Sequence, residues 1–319
     1  MKIKTIIIGL GSAGASDCFI DKTILFKRNH LDSIKNRKQF DIVGLIDPDK
    51  KKKKKILKEN KFDSSIFFDS LRDFKINNLD LVVIANPTKY HYETIKKSLT
   101  YKPKLVICEK PLSNLFEKSQ QVLNILKKSK CKLILNYQRQ FDSMFINLAN
   151  FLIKKEFNTF IYKYNRGFFN NASHVVFFFY NLFGEIKDFR VSKKKRIKND
   201  YSVDVKISFR NGKTLQIISF DKVSFDIFDI ECYSQNSKIE VFNGGITFKY
   251  SSRKSNEIFN NYSHLKTNKI KLPRYGDGFD NLYKRVISYF NKKEKFKEIS
   301  LSKYSYFYKQ LNRILLSEK

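Results

Sequence analysis

The apolar run Leu105-Val106-Ile107-Cys108 reads as a fully buried strand of a parallel sheet, and it stops on Glu109, Lys110 and Pro111. Ligands of open α/β sheets bind beyond the carboxyl ends of the strands, so Lys110 is either an exposed loop residue or the working end of a site. An ammonium whose pKa is depressed by a neighbouring positive charge can hydrogen-bond a hydroxyl and help to move its proton. Pro111 fixes the turn and suits a cis peptide. A second candidate lies at the start of the chain, where Gly9-Leu10-Gly11-Ser12-Ala13-Gly14 follows an apolar run with G-x-G-x-x-G spacing. In a dinucleotide site the first glycine makes the tight turn, the second lets a pyrophosphate approach the backbone, and the third permits close packing. The spacing alone would also fit an ordinary glycine turn. Asp47, closing the next strand, strengthens the dinucleotide reading, because a carboxylate there accepts from ribose hydroxyls and favours NAD over NADP.

These residues need a scaffold, and the first part of the chain supplies one. Strands are expected at Thr5–Leu10, Ile42–Asp47, Leu79–Ala85, Leu105–Cys108 and Lys132–Tyr137, with helices at Lys51–Asn60, Tyr92–Leu99 and Leu115–Lys128. Asp47 lies farther from the glycines than the usual ~20 residues, and 15–29 lacks a helical pattern, which resumes near Leu31. An insertion between the phosphate loop and its helix is therefore expected. After Phe141 the rhythm changes to strands at Thr159–Phe168, Ile186–Val191, Val203–Phe209, Thr214–Phe220, Phe225–Tyr233 and Lys238–Phe242, with turns at Asn211-Gly212 and Asn243-Gly244. One helix is expected within them, Asn171–Phe183, and two follow near Asp280–Asn291 and Ser302–Leu316. The fold class is α/β: a doubly wound Rossmann domain over 1–140, then an α+β domain over 141–319 built on a largely antiparallel sheet.

The 319 residues carry a net charge of +32, almost all from lysine, with abundant Asn, Ile, Phe and Tyr and no Trp. Lysines spread along the whole chain, apart from the block Lys50–Lys55, make a solvated basic surface rather than a nucleic-acid footprint. Cys18, Cys108, Cys131 and Cys232 form no CxxC pair and no metal-like spacing with histidine, so buried free thiols in a reducing compartment and no metal are expected. No apolar run reaches the length of a membrane span, and a soluble, cytoplasmic protein is expected. His30 and His264 stand in polar surroundings and are expected at the surface.

The glycine loop, "DLVVIANPTKYH" (Asp80–His91), "CEKPL" (Cys108–Leu112) and "NYQRQF" (Asn136–Phe141) follow in the order and spacing of the Gfo/Idh/MocA oxidoreductases, a family this chain resembles. "RGFFNNASHVVFFFYNLFGE" (Arg166–Glu185) is similar to that family's second-domain helix. The resemblance implies an NAD(P)-binding domain, held to the cofactor by Gly9, Gly11, Ser12, Ala13, Gly14, Asp47, Asn86, Pro87, His91, Glu109, Lys110 and Gln138. It also implies a second domain that carries substrate and forms a dimer or tetramer through its sheet. Lys110 is implied as the lysine beside the nicotinamide. The family's usual Asp-x-x-x-His falls on Asn170 and His174: the histidine remains as acid/base candidate, while an amide can orient a hydroxyl but not act as a base. A further family acid falls on Phe177. His91 is expected in a structural role at the cofactor edge as much as in catalysis. The implied activity is hydride transfer between nicotinamide and a secondary alcohol or ketone of a sugar, cyclitol or nucleotide sugar, as in surface-polysaccharide metabolism. A redox-neutral elimination or epimerisation, and a non-catalytic NAD-binding sensor, are the alternatives.

Overall fold

The computed structural model describes residues 2–15, 29–60, 62–113, 115–198, 200–256, 258–268, 276–292 and 300–317. The chain forms two units, Met1–Asp142 with Gly276–Lys309, and Ser143–Tyr275 with Gln310–Lys319.

In the first unit β1 (Ile3–Ile8), α1 (His30–Ile34), β2 (Phe40–Ile46), α2 (Lys50–Glu59), β3 (Phe67–Phe68), β4 (Leu81–Ile84), α3 (His91–Ser98), β5 (Leu105–Glu109), α4 (Phe116–Lys128) and β6 (Lys132–Asn136) alternate. The strands are all parallel, in the order β3-β2-β1-β4-β5-β6. Ile6, Ile7, Leu81 to Ile84 and Leu105 to Ile107 are wholly buried. A sheet covered on both faces needs apolar residues at every position, hence the unbroken runs in the sequence. Ile8 lies level with Ile84, and Ile84 with Cys108, so these strands release Gly9, Ala85 and Glu109 at one end of the sheet. The strand order reverses between β1 and β4, the switch point where such sheets bind ligands.

In the second unit α5 (Ser143–Lys154), β7 (Thr159–Tyr164), α6 (Ser173–Phe183), β8 (Ile186–Ile197), β9 (Asp200–Phe209), β10 (Thr214–Ser219), β11 (Phe228–Tyr233), β12 (Ser237–Phe242), β13 (Thr247–Ser255) and β14 (Ser263–Asn268) follow in turn. They build a sheet ordered β14-β13-β12-β11-β7-β10-β9-β8, antiparallel except for β7 beside β10. One face buries Phe160, Tyr162, Phe209 and Phe228 under α5 and α6 through ring contacts such as Phe145–Phe228 and Phe160–Phe179. On β11 and β12 the alternate residues are ionic: Glu231 pairs with Lys163 and with Lys238 at 3.2 Å, and Lys238 reaches Glu240 at 2.9 Å. Helix α5 and strands β13 and β14 are additions to the elements expected from sequence.

The continuous second domain expected over 141–319 is corrected by α7 (Gly278–Phe290) and α8 (Leu301–Leu316). Leu282, Tyr283 and Val286, on one face of α7, join the first unit's core with Ile7, Leu31 and Leu45, and Arg37 pairs with Asp280. In the early turns of α8, Tyr304 accepts from the Leu135 amide at 3.2 Å and Tyr308 from that of Leu112 at 2.7 Å. These phenols satisfy buried backbone donors that helix packing would otherwise strand.

Candidate active site

The glycine loop is set by backbone packing at two of its glycines and by open space at the third. Gly9 has φ +91°, and a Cβ there would lie 2.3 Å from the Asn86 amide nitrogen. One on Gly14 would lie 1.9 Å from the Gly9 carbonyl oxygen, while one on Gly11 would meet nothing within 4 Å among the described residues. A side chain at 9 or 14 is excluded by the protein itself. At Gly11 no described residue fills the space, as the approach of a pyrophosphate to the backbone would require. The insertion expected after the loop shows in its flanks: the Ala13 and Gly14 carbonyls accept, at 2.9 Å each, from the amides of His30 and Leu31. Helix α1 thus takes over the loop's hydrogen bonds where a continuous helix would have begun, and 16–28, with Cys18, lies outside the described residues.

Asp47 follows β2 and is buried. Its carboxylate accepts from the amides of Leu10 at 2.7 Å and Asp49 at 2.9 Å, and Lys52 Nζ lies 3.1 Å away. Burial pulls the carboxyl pKa up, yet the Leu10 and Asp49 amides and the Lys52 ammonium together hold it below the ordinary value. The residue read from sequence as a ribose acceptor is therefore also a strut of the glycine loop, and it carries a cation. Lys52 belongs to the lysine block, whose helix is capped by Asp49 accepting from the Lys51 and Lys52 amides.

Beyond β4, the Asn86 amide group donates to Thr94 Oγ1 at 2.8 Å, while its Oδ1 is buried with no hydrogen-bond partner among the described residues. Such an acceptor is costly unless a ligand donor meets it, and with the clear space at Gly11 it makes the end of this sheet fit for a dinucleotide. Pro87 starts the short turn leading to α3. His91, buried at the head of α3, lies 2.9 Å by Nδ1 from the Pro111 carbonyl and 2.8 Å by Nε2 from that of Asn86. Burial lowers its pKa against the pull of these carbonyls. Its place between the two loops is a structural one.

The bond between Lys110 and Pro111 is cis, and Lys110 is half-buried. Glu109, before it, accepts from Asn136 Nδ2 at 2.7 Å and lies 3.1 Å from His30 Nε2. His30 is thus wholly buried rather than at the surface. Its polar sequence neighbours concealed that they lead into a helix whose first residue turns inward. His264 is exposed, as expected. Gln138 opens the turn after β6, and Gly278 packs so closely on it that a Cβ would lie 2.9 Å from its carbonyl oxygen. Cys108, Cys131 and Cys232 are buried free thiols, their pKa pushed up by burial, to about 12 at Cys131.

Within the second unit, Asn170 lies in the turn that leads into α6, and His174 is the second residue of that helix. That turn is a π-type one over Phe168–Ala172, closed by the Ala172 amide on the Gly167 carbonyl at 3.3 Å. Asn170 is exposed and its amide group donates to the Arg166 carbonyl at 3.2 Å, while His174 is half-buried. Sequence reading missed Asp200, whose Oδ1 accepts from the Phe169 amide at 3.0 Å and Oδ2 from that of Asn170 at 2.9 Å. It caps the turn, and Gly167 suits the site through its φ of +96°, which L side chains rarely adopt, with a Cβ there also 2.2 Å from that carboxylate. Phe177 is wholly buried, so the position of the missing family acid serves packing.

Residues 3–137 match the family model of an oxidoreductase family with an NAD-binding Rossmann fold. That family is Gfo/Idh/MocA, and the match covers the stretch that holds the glycine loop, Asp47 and Lys110. An uncharacterized oxidoreductase of Schizosaccharomyces pombe is 31% identical over 70 residues, a stretch that spans 22% of this chain and 19% of that protein. The fold extends over nearly the whole chain in solved structures. The dehydrogenase MviM of Clostridium difficile is similar over 99% of both chains, with a TM-score of 0.72 at 19% identity. UDP-N-acetylglucosamine 3-dehydrogenase GnnA of Acidithiobacillus ferrooxidans covers 99% of this chain and 97% of its own, with a TM-score of 0.75 at 12% identity. Among the described residues, no group of three or more His, Cys, Asp or Glu could hold a metal ion, and no helix is long and apolar enough to cross a membrane.

Proposed function

We propose that the protein is an NAD-dependent oxidoreductase acting on a secondary alcohol or ketone of a sugar-like substrate, with a nucleotide sugar the leading class. The observation that carries the reading is the level end of the parallel sheet, where the clear space at Gly11, the buried Asn86 Oδ1 and the half-buried Lys110 occur together beyond the carboxyl ends of β1, β4 and β5. The activity named for GnnA, on UDP-N-acetylglucosamine, points to the same substrate class. The glycine loop, Asp47, Asn86 and Pro87 hold the cofactor, which when bound supplies or accepts a hydride. Lys110 hydrogen-bonds the substrate hydroxyl and carries its proton, His174 serves as acid/base, and Asn170 orients a hydroxyl. The first unit takes the cofactor role, and the second the substrate role.

The proposed preference for NAD rests on the Asp47 carboxylate, which repels a 2′-phosphate, and Lys52 opposes it by neutralising part of that charge. The test is a panel of sugars and nucleotide sugars incubated with NAD⁺ and the purified chain, with NADH followed by absorbance. Stoichiometric NADH with one substrate supports the reading. Conversion of a substrate with no net NADH would replace it with a redox-neutral reaction, and no conversion across the panel in either direction would overturn it.

A further inference from the structure

Tyr283, His30, Glu109 and Asn136 are joined inside the first unit and have no part in the reaction as proposed. Tyr283 Oη lies 2.8 Å from His30 Nδ1, and His30 Nε2 lies 3.1 Å from Glu109 Oε1, the oxygen that also accepts from Asn136 at 2.7 Å. The imidazole has little freedom to leave this line. Phe279 and Tyr283 meet it edge-on, with ring centroids at 4.9 and 5.8 Å, and Phe40 packs edge-on against Tyr283 at 5.6 Å. The four groups come from α7, α1, β5 and β6, so the chain of contacts ties distant parts of the sequence to the residue immediately before Lys110.

We infer that His30 is a positioning residue: with Tyr283 it fixes the Glu109 carboxylate in place, and that fixed anion sets the pH range over which the adjoining Lys110 carries its proton. The inference rests on the role proposed for Lys110. An ionised carboxylate can only accept, so Nε2–H donates to Glu109. The Tyr283 hydroxyl then donates to Nδ1 of a neutral ring or accepts from a protonated one, and the chain of contacts survives both states.

The surrounding charges agree with this assignment. Burial pulls the Glu109 pKa up, but the His30 hydrogen bond and charge, the Asn136 amide and the Lys110 ammonium hold it below the ordinary carboxylate value. Burial, then the Glu109 charge, keeps both Tyr283 and the Cys108 thiol protonated, so neither adds a competing anion. Burial pushes the His91 ring toward its neutral form, against a smaller pull from Glu109. Arg37, which also acts on Tyr283, is itself paired with Asp280. The ionised Glu109 also interacts favourably with the Lys110 ammonium, so withdrawing its charge makes that ammonium lose its proton at lower pH.

The test needs no substrate. Trace acetylation of the purified full chain with acetic anhydride, read peptide by peptide by mass spectrometry across pH, gives the midpoint at which Lys110 becomes reactive, since only the neutral amine attacks. Glu109→Gln is expected to lower that midpoint by about 1–3 pH units. His30→Phe leaves the buried carboxylate with Asn136 as its remaining donor of the pair, so it takes up a proton and the Lys110 midpoint falls by a smaller amount. Tyr283→Phe, which keeps the ring, gives the smallest fall, and exposed Lys54 on α2 stays unmoved in all three. A Lys110 midpoint unchanged in both His30→Phe and Tyr283→Phe overturns the inference. Should His30→Phe fail to fold, Tyr283→Phe and Glu109→Gln decide it by the same readout. Failure of Lys110 as a catalyst would show instead as undiminished turnover in Lys110→Ala, whatever the acetylation midpoints.

Discussion

Substitutions at the glycines separate a requirement of the fold from a requirement of the ligand. A Cβ at Gly14 would stand 1.9 Å from the Gly9 carbonyl oxygen, which is backbone and cannot swing aside. Forcing extra volume into a packed site costs about 1–3 kcal/mol, which for a unit of this size lowers Tm by about 2–12 °C. Gly14→Ala should therefore melt early and bind NADH poorly because the loop itself is displaced. Gly11→Ala should do the opposite. Its Cβ meets nothing within 4 Å among the described residues, and the backbone there is not in the left-handed region, so Tm should stay within about a degree of wild type, the usual outcome away from packed sites. If the clear space belongs to a pyrophosphate, the methyl group stands in its way, and NADH affinity should fall at least tenfold, about 1.4 kcal/mol. Gly11→Val should weaken it further. Thermal melts with NADH fluorescence titration on each variant check both halves. A Gly11→Val protein that binds NADH like wild type would show that nothing approaches the backbone there and would remove the phosphate assignment.

NADH should bind more tightly than NADPH, and Lys52→Ala should widen the gap by leaving Asp47 unneutralised; parallel fluorescence titrations read both. Asp200→Ala uncaps the turn that carries Asn170 and leads into the helix of His174, at a cost of about 0.5–2 kcal/mol in denaturant melts, with turnover falling more than NADH affinity. The Glu231 pKa is held down to about 2 by Lys163, Tyr233 and Lys238 in spite of burial. Its contribution is therefore present above the unfolded value of 4.5 and lost as pH falls toward 2. Glu231→Gln should destabilise the chain at neutral pH and lose that difference in acid, in urea melts run across pH.

The sequence made the first unit legible because a sheet buried on both faces writes itself as apolar runs, and Ile6-Ile7 or Leu81–Ile84 admit few other readings. The same logic failed where burial is one-sided or slight. In β8 the tract Ser192–Arg196 is charged and mostly solvated, so the strand was expected to stop near Val191, and β14 is almost wholly exposed. Helix α5 did carry its signal, with Met144, Phe145, Leu148 and Leu152 at helical spacing, but it stands between two strands in a stretch read as sheet. Of the candidate site, the short motifs could be placed on the fold from sequence: the glycines, Asp47 and Lys110 stand at the ends of the strands expected for them. The partners that steady them were not. Asp200 reaches Asn170 from 30 positions away, and Tyr283 reaches His30 from 253, distances at which one sequence holds no pairing information.

The central claim is that Lys110 carries the proton of a nicotinamide-dependent reaction. The most direct measurement is steady-state turnover of Lys110→Ala with the substrate found in the NAD⁺ panel, beside NADH affinity measured separately on the same protein. General acid–base assistance accounts for roughly 10²–10⁴-fold in rate, so turnover should fall by that order while NADH binding, held by the glycine loop and Asp47, changes little. Near wild-type turnover in Lys110→Ala would contradict the claim.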